Sequence, residues 1–132
     1  MRNNFHCMLY RSQLAPNAAS NSIPDIIRTA RSFNATHGVT GILVFDGRNF
    51  LQNLEGPERV VKELIGRIER DRRHVNFLLQ YQGRGFGNRR FSGWSMAYAY
   101  IENDKTLQAG CQLQGKHAMM HFAELLPTLE IA

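Results

Sequence analysis

Two carboxamide side chains stand where the sequence pattern predicts apolar ones. In the segment NFLQNLEG, residues 49–56, Gln52 lies on the same face of a predicted strand as Phe50 and Leu54, because strand residues two apart share a face. Asn34 falls near the centre of the apolar face of a predicted helix. Burying an amide without partners costs on the order of 1–3 kcal/mol. The pattern therefore indicates either an incompletely buried face or an interior group that binds these amides.

A phenol could join the two amides. In a predicted strand, Tyr10 lies on the face opposite to that of Cys7 and Leu9. The sequence does not decide which of the two faces is covered by helices. If Tyr10 lies on the covered face, one interior space receives a phenol and both amides. Each group alone could bond to backbone or cap a helix end, but their burial costs accumulate. Together they suit a planar heterocycle with alternating donors and acceptors, such as an isoalloxazine ring between apolar walls.

The elements that must position these groups follow from periodicity. The pattern predicts strands at 5–11, 39–46, 49–56, 75–82 and 93–101, and helices at 21–34 and 57–71. Asp46-Gly47 is a typical hairpin turn between the second and third strands. The order βαββαββ predicts an α+β, ferredoxin-like sandwich with two helices on one sheet face. Strands one and three are then neighbours at its centre.

The C-terminal part of the chain predicts a separate extension. HAMMHFAELL, residues 117–126, is expected to form a helix outside the core sandwich. We therefore expect a sandwich domain over residues 1–102 and a helical extension over residues 103–132.

Composition indicates an ordinary globular domain. The 132 residues are 43% hydrophobic and carry a net charge of +5, which suits an anionic ligand or partner. No apolar run approaches the roughly 18 residues of a membrane span, and the N-terminus shows no signal-peptide pattern. Two cysteines are too few for a disulfide framework. A reducing, cytoplasmic location without membrane association is the simplest expectation.

Six motifs in order resemble the BLUF family, the blue-light sensors using FAD, across residues 5–101. They are Tyr10-Arg-Ser12, Asn34 twenty-four positions later, GVTGILVF (38–45), FLQNLEG (50–56), DRRH (71–74) and WSM (94–96). The resemblance implies that residues 1–102 bind a flavin and that residues 103–132 serve output or oligomerisation. It implies FAD as cofactor, with FMN or riboflavin as alternatives. It also implies that Tyr10 is the photochemical electron and proton donor, that Gln52 bridges phenol and flavin, and that Asn34 holds the opposite part of the polar edge.

The resemblance further implies a set of flavin contacts. Ile26 and Ile68 are expected to sandwich the ring with Phe50 nearby, and Ala30 and Phe33 to line it. Phe33 departs from the polar or basic residue that many members carry there. The remaining contacts are expected at the end of the second helix: Arg67, Asp71, Arg73 and His74.

The light reaction implied by the resemblance is a hydrogen-bond switch rather than catalysis, so we expect no enzyme activity. The Gln amide is left rotated or tautomerised, and the flavin absorption moves slightly to the red. Ser12, Trp94 and Met96 are expected to relay the change through strand five and the C-terminal helices. The resemblance leaves open which of Trp94 and Met96 lies beside the flavin. The expected receiver is a protein partner, with homo-oligomer formation and without nucleic acid.

Three other functions fit parts of the sequence. RGFGNRRF, residues 84–91, partly matches the octapeptide of an RNA-binding module of RRM-like topology, but Asn88 and Arg89 replace its stacking positions and it follows strand four. A small acyl-phosphate hydrolase shares the sandwich but needs a phosphate-binding glycine-rich loop. His117 and His121 have metal-ligand spacing without an evident third ligand.

Overall fold

The order of elements agrees with the sequence pattern. The computed structural model describes residues 4–19, 22–102 and 104–132. Its strands are β1 (His6–Leu14), β2 (Thr40–Phe45), β3 (Asn49–Gly56), β4 (His74–Arg84) and β5 (Ala97–Tyr100). Its helices are α1 (Ser22–His37), α2 (Glu58–Glu69), α3 (Asp104–Gln108) and α4 (Gly115–Leu125), and a 3-10 turn follows at Leu126–Thr128. Asn21, the expected first residue of α1, lies outside the described residues.

The five strands form one sheet in the order β4-β1-β3-β2-β5. All neighbours are antiparallel except β2 and β5, which are parallel. The prediction that the first and third strands lie side by side at the centre is confirmed. Tyr10 is the register partner of Gln52 across this central pair. The α+β, ferredoxin-like prediction is confirmed as well.

Several predicted boundaries are wrong by a few residues. Helix α1 continues past Asn34 to His37 and ends at Gly38, whose φ of +71° is a left-handed conformation that glycine adopts without strain. Strand β5 is shorter than expected and begins only at Ala97. The residues before it follow Gly93, whose φ of +88° ends a turn, and they do not join the regular pairing with β2. Trp94 and Met96 therefore precede the strand.

The sheet is covered on both faces, which corrects the expectation that the C-terminal helix lies outside the core sandwich. All eight residues of β3 are buried. Helices α1 and α2 cover the face that carries Tyr10 and Gln52, and α4 covers the opposite face. There Phe122 of α4 is packed in a cluster with Cys7 and Leu9 of β1. Apolar residues on that second face need a cover, and the apolar side of α4 supplies it.

Candidate functional site

A cavity of about 290 Å³ lies between the sheet and the helices α1 and α2. All twelve residues that the resemblance implied as flavin contacts line it: Tyr10, Ile26, Ala30, Phe33, Asn34, Phe50, Gln52, Arg67, Ile68, Asp71, Arg73 and His74. Met96 lines it too. Sequence reasoning missed Thr29, Leu43, Leu54 and Leu64. Strand alternation could have found Leu54, and helical spacing from Ile26 could have found Thr29.

The floor of the cavity is formed by the central strands. Tyr10 is 5% exposed, and its ring stacks on Phe77 with 5.0 Å between centroids. Burial, with a smaller contribution from the Asp71 carboxylate, raises the pKa of Tyr10 far above its ordinary value. The phenol is therefore neutral and able to donate a hydrogen bond throughout the physiological pH range. Gln52 stands directly opposite it on β3.

The Gln52 amide contacts a weak acceptor. Its Nε2 lies 3.6 Å from the Sδ atom of Met96, and the Gln52 side chain is 4% exposed. A thioether is a poor partner for a buried amide N–H. The carboxamide that the sequence pattern marked as unusual is therefore buried beside the cavity with a weak hydrogen bond. This is a donor that a stronger acceptor in the cavity could attract.

The Asn34 amide has a definite partner. Asn34 is 2% exposed, and its Nδ2 donates to the backbone oxygen of Ser95 at 2.7 Å. It does not cap the end of its helix, because α1 continues beyond it to His37. An amide nitrogen has two hydrogens, so the same side chain can bond Ser95 and still donate or accept toward the cavity.

The walls of the cavity are apolar and aliphatic. Ile26 and Ala30 approach from α1, and Ile68 approaches from α2. At the mouth, Phe33 stacks on His37 with 3.9 Å between ring centroids, and the Arg67 guanidinium lies 4.9 Å from the Phe33 centroid. Phe33, which departs from the family pattern, thus supports a cation near the opening through a cation–π contact.

The rim of the cavity carries an ion pair at the end of α2. The Arg73 guanidinium donates to both carboxylate oxygens of Asp71, with a shortest distance of 2.6 Å. The backbone N–H of Arg73 also donates to Asp71, at 2.9 Å. These bonds lower the pKa of Asp71 and raise the pKa of Arg73. The rim therefore carries an ionised pair of Asp71 and Arg73, and Arg67 lines the same cavity.

The three expected relay residues lie in different places. Met96 is 2% exposed and touches the cavity, whereas Trp94 is 45% exposed. Ser12 is buried behind the rim, where its Oγ lies 2.8 Å from Nδ1 of His74. His74 Nε2 in turn bonds the backbone oxygen of Ile68. Ser12 is thus connected to the cavity through the cavity-lining His74. Of Trp94 and Met96, it is Met96 that lies beside Gln52.

The RNA-binding alternative loses its structural basis. Most of RGFGNRRF lies in a loop after β4 and not on a central strand. Gly85 packs against the ring of Phe5, where an added Cβ would come within 1.9 Å of ring carbon, so this glycine has a packing role. The sheet face that such a module would expose is covered by α4.

The described part of the chain lacks two further features. No group of three or more His, Cys, Asp or Glu side chains there could hold a metal ion. No helix formed by those residues is long and apolar enough to span a membrane.

The cavity fits a flat ligand with a polar edge, and the comparison with family models agrees. The model described as sensors of blue-light using FAD matches residues 5–97. The chain belongs to the BLUF family. In a BLUF protein the cofactor is a flavin, and the residues present fit one. The walls at Ile26 and Ile68 are apolar, and Asn34 and Gln52 offer amides to a heterocycle edge.

Curated relatives share this part of their sequence. The Escherichia coli blue light- and temperature-regulated antirepressor BluF is 38% identical over 71 residues, which are 54% of this chain and 18% of that protein. The Euglena gracilis photoactivated adenylate cyclase subunit beta is 36% identical over 69 residues, 52% of this chain and 8% of that protein. The chain thus spans less than a fifth of the length of these relatives.

Solved BLUF structures superpose on most of the chain. The ground state of BlsA is 27% identical, with a TM-score of 0.80, and the match covers 97% of this chain and 91% of that one. Klebsiella pneumoniae BlrP1 with FMN and cyclic diGMP is 32% identical, with a TM-score of 0.66, over 74% of this chain and 26% of that one. The superposition on BlsA includes the C-terminal part of this chain, because the match covers 97% of the chain.

Proposed function

We propose that this chain is a blue-light photoreceptor in which Gln52 changes its hydrogen bonds between Tyr10 and a bound flavin. The observation that carries the proposal is the pairing of Tyr10 with Gln52 in the central strands, where the Gln52 Nε2 lies 3.6 Å from the weak acceptor Met96 Sδ. Little hydrogen-bond energy is lost when this amide turns. The flavin, when bound, absorbs the blue light and supplies the redox chemistry.

Each side chain around the cavity has a separable task. Tyr10 holds a proton on its hydroxyl, because burial keeps its pKa high. Gln52 presents either its oxygen or its nitrogen to that phenol, so it provides two arrangements of the same network. Asn34, held by its hydrogen bond to the Ser95 oxygen, would bind the opposite polar part of the ring. Ile26 of α1 and Ile68 of α2 would cover the ring and exclude water from it.

FAD is the cofactor we propose, and FMN or riboflavin are the alternatives. The opening of the cavity carries Arg67 and the Arg73–Asp71 pair. Anionic phosphates of a nucleotide form of flavin would meet Arg67 there, since Arg73 is already paired. Riboflavin lacks phosphate, so its binding depends on the ring contacts alone.

The output is proposed to be a protein–protein event rather than the conversion of a substrate. The flavin-binding part would comprise residues 1–102, and residues 103–132 would carry output or oligomerisation. Ser12 through His74, and Met96 beside Gln52, connect the cavity to β1 and β5. Helix α4 packs on the opposite face of the same sheet. A change at the central strands therefore reaches α4 without crossing solvent, and a partner or a second copy of the chain would sense it.

The test is a light-induced absorption change with matched variants. We expect the protein loaded with FAD to be yellow and to shift its blue absorption band reversibly to the red on illumination. Tyr10→Phe should abolish the normal photocycle, whereas Tyr100→Phe, at an exposed tyrosine, should retain it. Gln52→Leu should bind flavin without the red shift, whereas Gln112→Leu, at an exposed position, should behave like the unmodified chain.

Two results would contradict the proposal. A protein that stays colourless after refolding with FAD has no flavin site. A normal photocycle in Tyr10→Phe would remove the role of the phenol.

A further inference from the structure

The three residues before β5 are held without regular strand pairing. The ladder between β5 and β2 begins at the pair Ala97 and Ile42. Ahead of it, the backbone oxygen of Trp94 accepts from the N–H of Gly41 at 3.2 Å. The next two residues, Ser95 and Met96, have bent backbone outside the strand. Their position therefore depends on other contacts than those of the sheet.

Helix α1 supplies those contacts through two side chains on one face. Asn34 Nδ2 donates to the Ser95 oxygen at 2.7 Å, and Arg31 Nε donates to the Met96 oxygen at 3.0 Å. Arg31 and Asn34 are three residues apart, so they project from neighbouring positions of the helix surface. The two bonds join consecutive carbonyls of the same short segment. Arg31 thus binds the backbone of Met96, whose sulfur lies 3.6 Å from Gln52 Nε2.

Arg31 acts from the outside of the molecule. It is an exposed residue and does not line the cavity, whereas Met96 is 2% exposed and does. A charged donor forms a stronger hydrogen bond to a carbonyl than a neutral donor does. The backbone of Met96 is therefore anchored from the surface, while its sulfur lies 3.6 Å from the movable amide.

We propose that Arg31 is a positioning residue that holds Met96 against Gln52 and thereby slows the return of Gln52 from its light-induced arrangement. This inference rests on the proposed photoreceptor function. Without the bond from Arg31, Met96 is free to move away from the Gln52 amide. The amide then gains room to turn, and the barrier to its return falls.

The decisive variants are Arg31→Met and Arg31→Lys. Methionine keeps much of the aliphatic length and removes every donor, whereas lysine keeps the charge and a donor without the fork geometry. Arg28→Met is the matched control, because Arg28 lies one turn earlier on α1, is exposed and bonds Asp25 at 2.7 Å instead of the segment before β5.

Two measurements follow Met96 and the photocycle separately. Carbon-13 labelling of methionine methyl groups gives an NMR signal for Met96, assigned with Met96→Leu. In Arg31→Met we expect this signal to move or broaden, and the dark recovery of the red-shifted flavin to be about threefold faster or more. Arg31→Lys should fall between Arg31→Met and the unmodified protein, and Arg28→Met should match the unmodified protein in both measurements.

The outcomes separate this inference from the proposed function. If the unmodified protein shows no light-induced shift, the photoreceptor proposal fails, and the NMR signal still reports whether Arg31 positions Met96. If the unmodified protein cycles normally and Arg31→Met matches Arg28→Met in recovery and in the Met96 signal, the positioning role is overturned. A greater disturbance in Arg31→Lys than in Arg31→Met would overturn it as well.

Discussion

The two faces of the sheet both carry buried apolar clusters, but the face under α1 and α2 also borders a large cavity. Under α4, large apolar side chains such as Leu9, Leu51 and Phe122 are each at most 2% exposed and pack in one cluster. Under α1 and α2, Tyr10 and Gln52 border a cavity of about 290 Å³. A filled core contributes stability through burial and dispersion, whereas an unfilled cavity contributes less. The face under α4 is therefore a packed apolar core, whereas the face under α1 and α2 combines a buried cluster that includes Met8, Leu43 and Val61 with room for a ligand.

The largest effect on stability should come from truncating a large apolar side chain in the core under α4. We expect Phe122→Ala to lower the free energy of unfolding by about 3–5 kcal/mol, because it leaves a cavity inside a closed core. The measurement is a urea titration followed by circular dichroism. Met120→Ala on the same helix, where Met120 is 53% exposed, should change the value by less than about 0.5 kcal/mol. Equal values for the two variants would show that α4 is not part of the core.

A buried carboxylate on the filled face should give the next effect. Glu55 is 1% exposed and accepts from Thr40 Oγ1 at 2.8 Å, from the N–H of Phe91 at 2.7 Å and from the N–H of Arg90 at 3.0 Å. Glu55→Leu should lower the free energy of unfolding by about 2–3 kcal/mol, because these donors lose their acceptor.

Glu55→Gln is the control for that variant. The glutamine retains one acceptor oxygen, so its loss of stability should be clearly smaller in the same denaturant titration. A larger loss for Gln than for Leu would mean that the three hydrogen bonds do not support the loop after β4.

The cavity face should respond weakly in stability and strongly in binding. Ile68 lines the cavity, so in the flavin-free protein Ile68→Ala adds little new empty volume and should lower the free energy of unfolding by about 1 kcal/mol. Ile42→Ala on the filled face, where Ile42 is 0% exposed, should cost about 3 kcal/mol. In a fluorescence titration with FAD, Ile68→Ala should bind more weakly than Ile42→Ala. The reverse order in both measurements would contradict the contrast between the two faces.

The smallest effect concerns alkaline pH. Burial holds the pKa of Tyr10 above its ordinary value of 10.0. The unfolded chain therefore loses that proton first, and stability that is complete below pH 10 declines as the pH rises above it. Between about pH 9 and about pH 11, Tyr10 should account for a loss of about 1 kcal/mol.

Tyr10→Phe removes that titration and should flatten the alkaline decline. The free energy of unfolding is measured at each pH, with Tyr100→Phe, at an exposed tyrosine, as control. A decline in Tyr10→Phe as steep as in the control would show that the Tyr10 phenol ionises as easily in the folded protein as in the unfolded chain.

Much of the architecture was predictable because it depends on local spacing. Alternation marked β3, and the turn at Asp46 and Gly47 formed as expected, with Asp46 Oδ1 accepting the backbone N–H of Asn49 at 2.6 Å. Helical spacing placed Ile26 and Ala30 on one wall. Boundaries were less accurate where long-range pairing extended an element, as in β1, which pairs with β3 and β4 as far as Gln13 and Leu14.

The sequence predicted which polar residues form the candidate site, but not which side of the sheet they lie on or which partners they bond. The sequence marked Tyr10, Asn34 and Gln52 because polar groups at apolar positions are unusual. Alternation predicts that Tyr10 and Cys7 lie on opposite faces of the sheet. Which of those faces packs against α1 and α2 depends on how the helices pack on the sheet. Which partner each amide has also depends on residues distant in the chain.

By itself, the sequence determined the order of the elements, the centre of the sheet and the three polar groups, since these follow from periodicity within a few residues. Only the tertiary structure decided that α4 covers the second face, that Met96 and not Trp94 meets Gln52, and that Asn34 and Arg31 anchor the segment before β5. Those two anchors span 61 and 65 residues of chain. Contacts of that kind arise from packing distant elements together, and no local pattern encodes them.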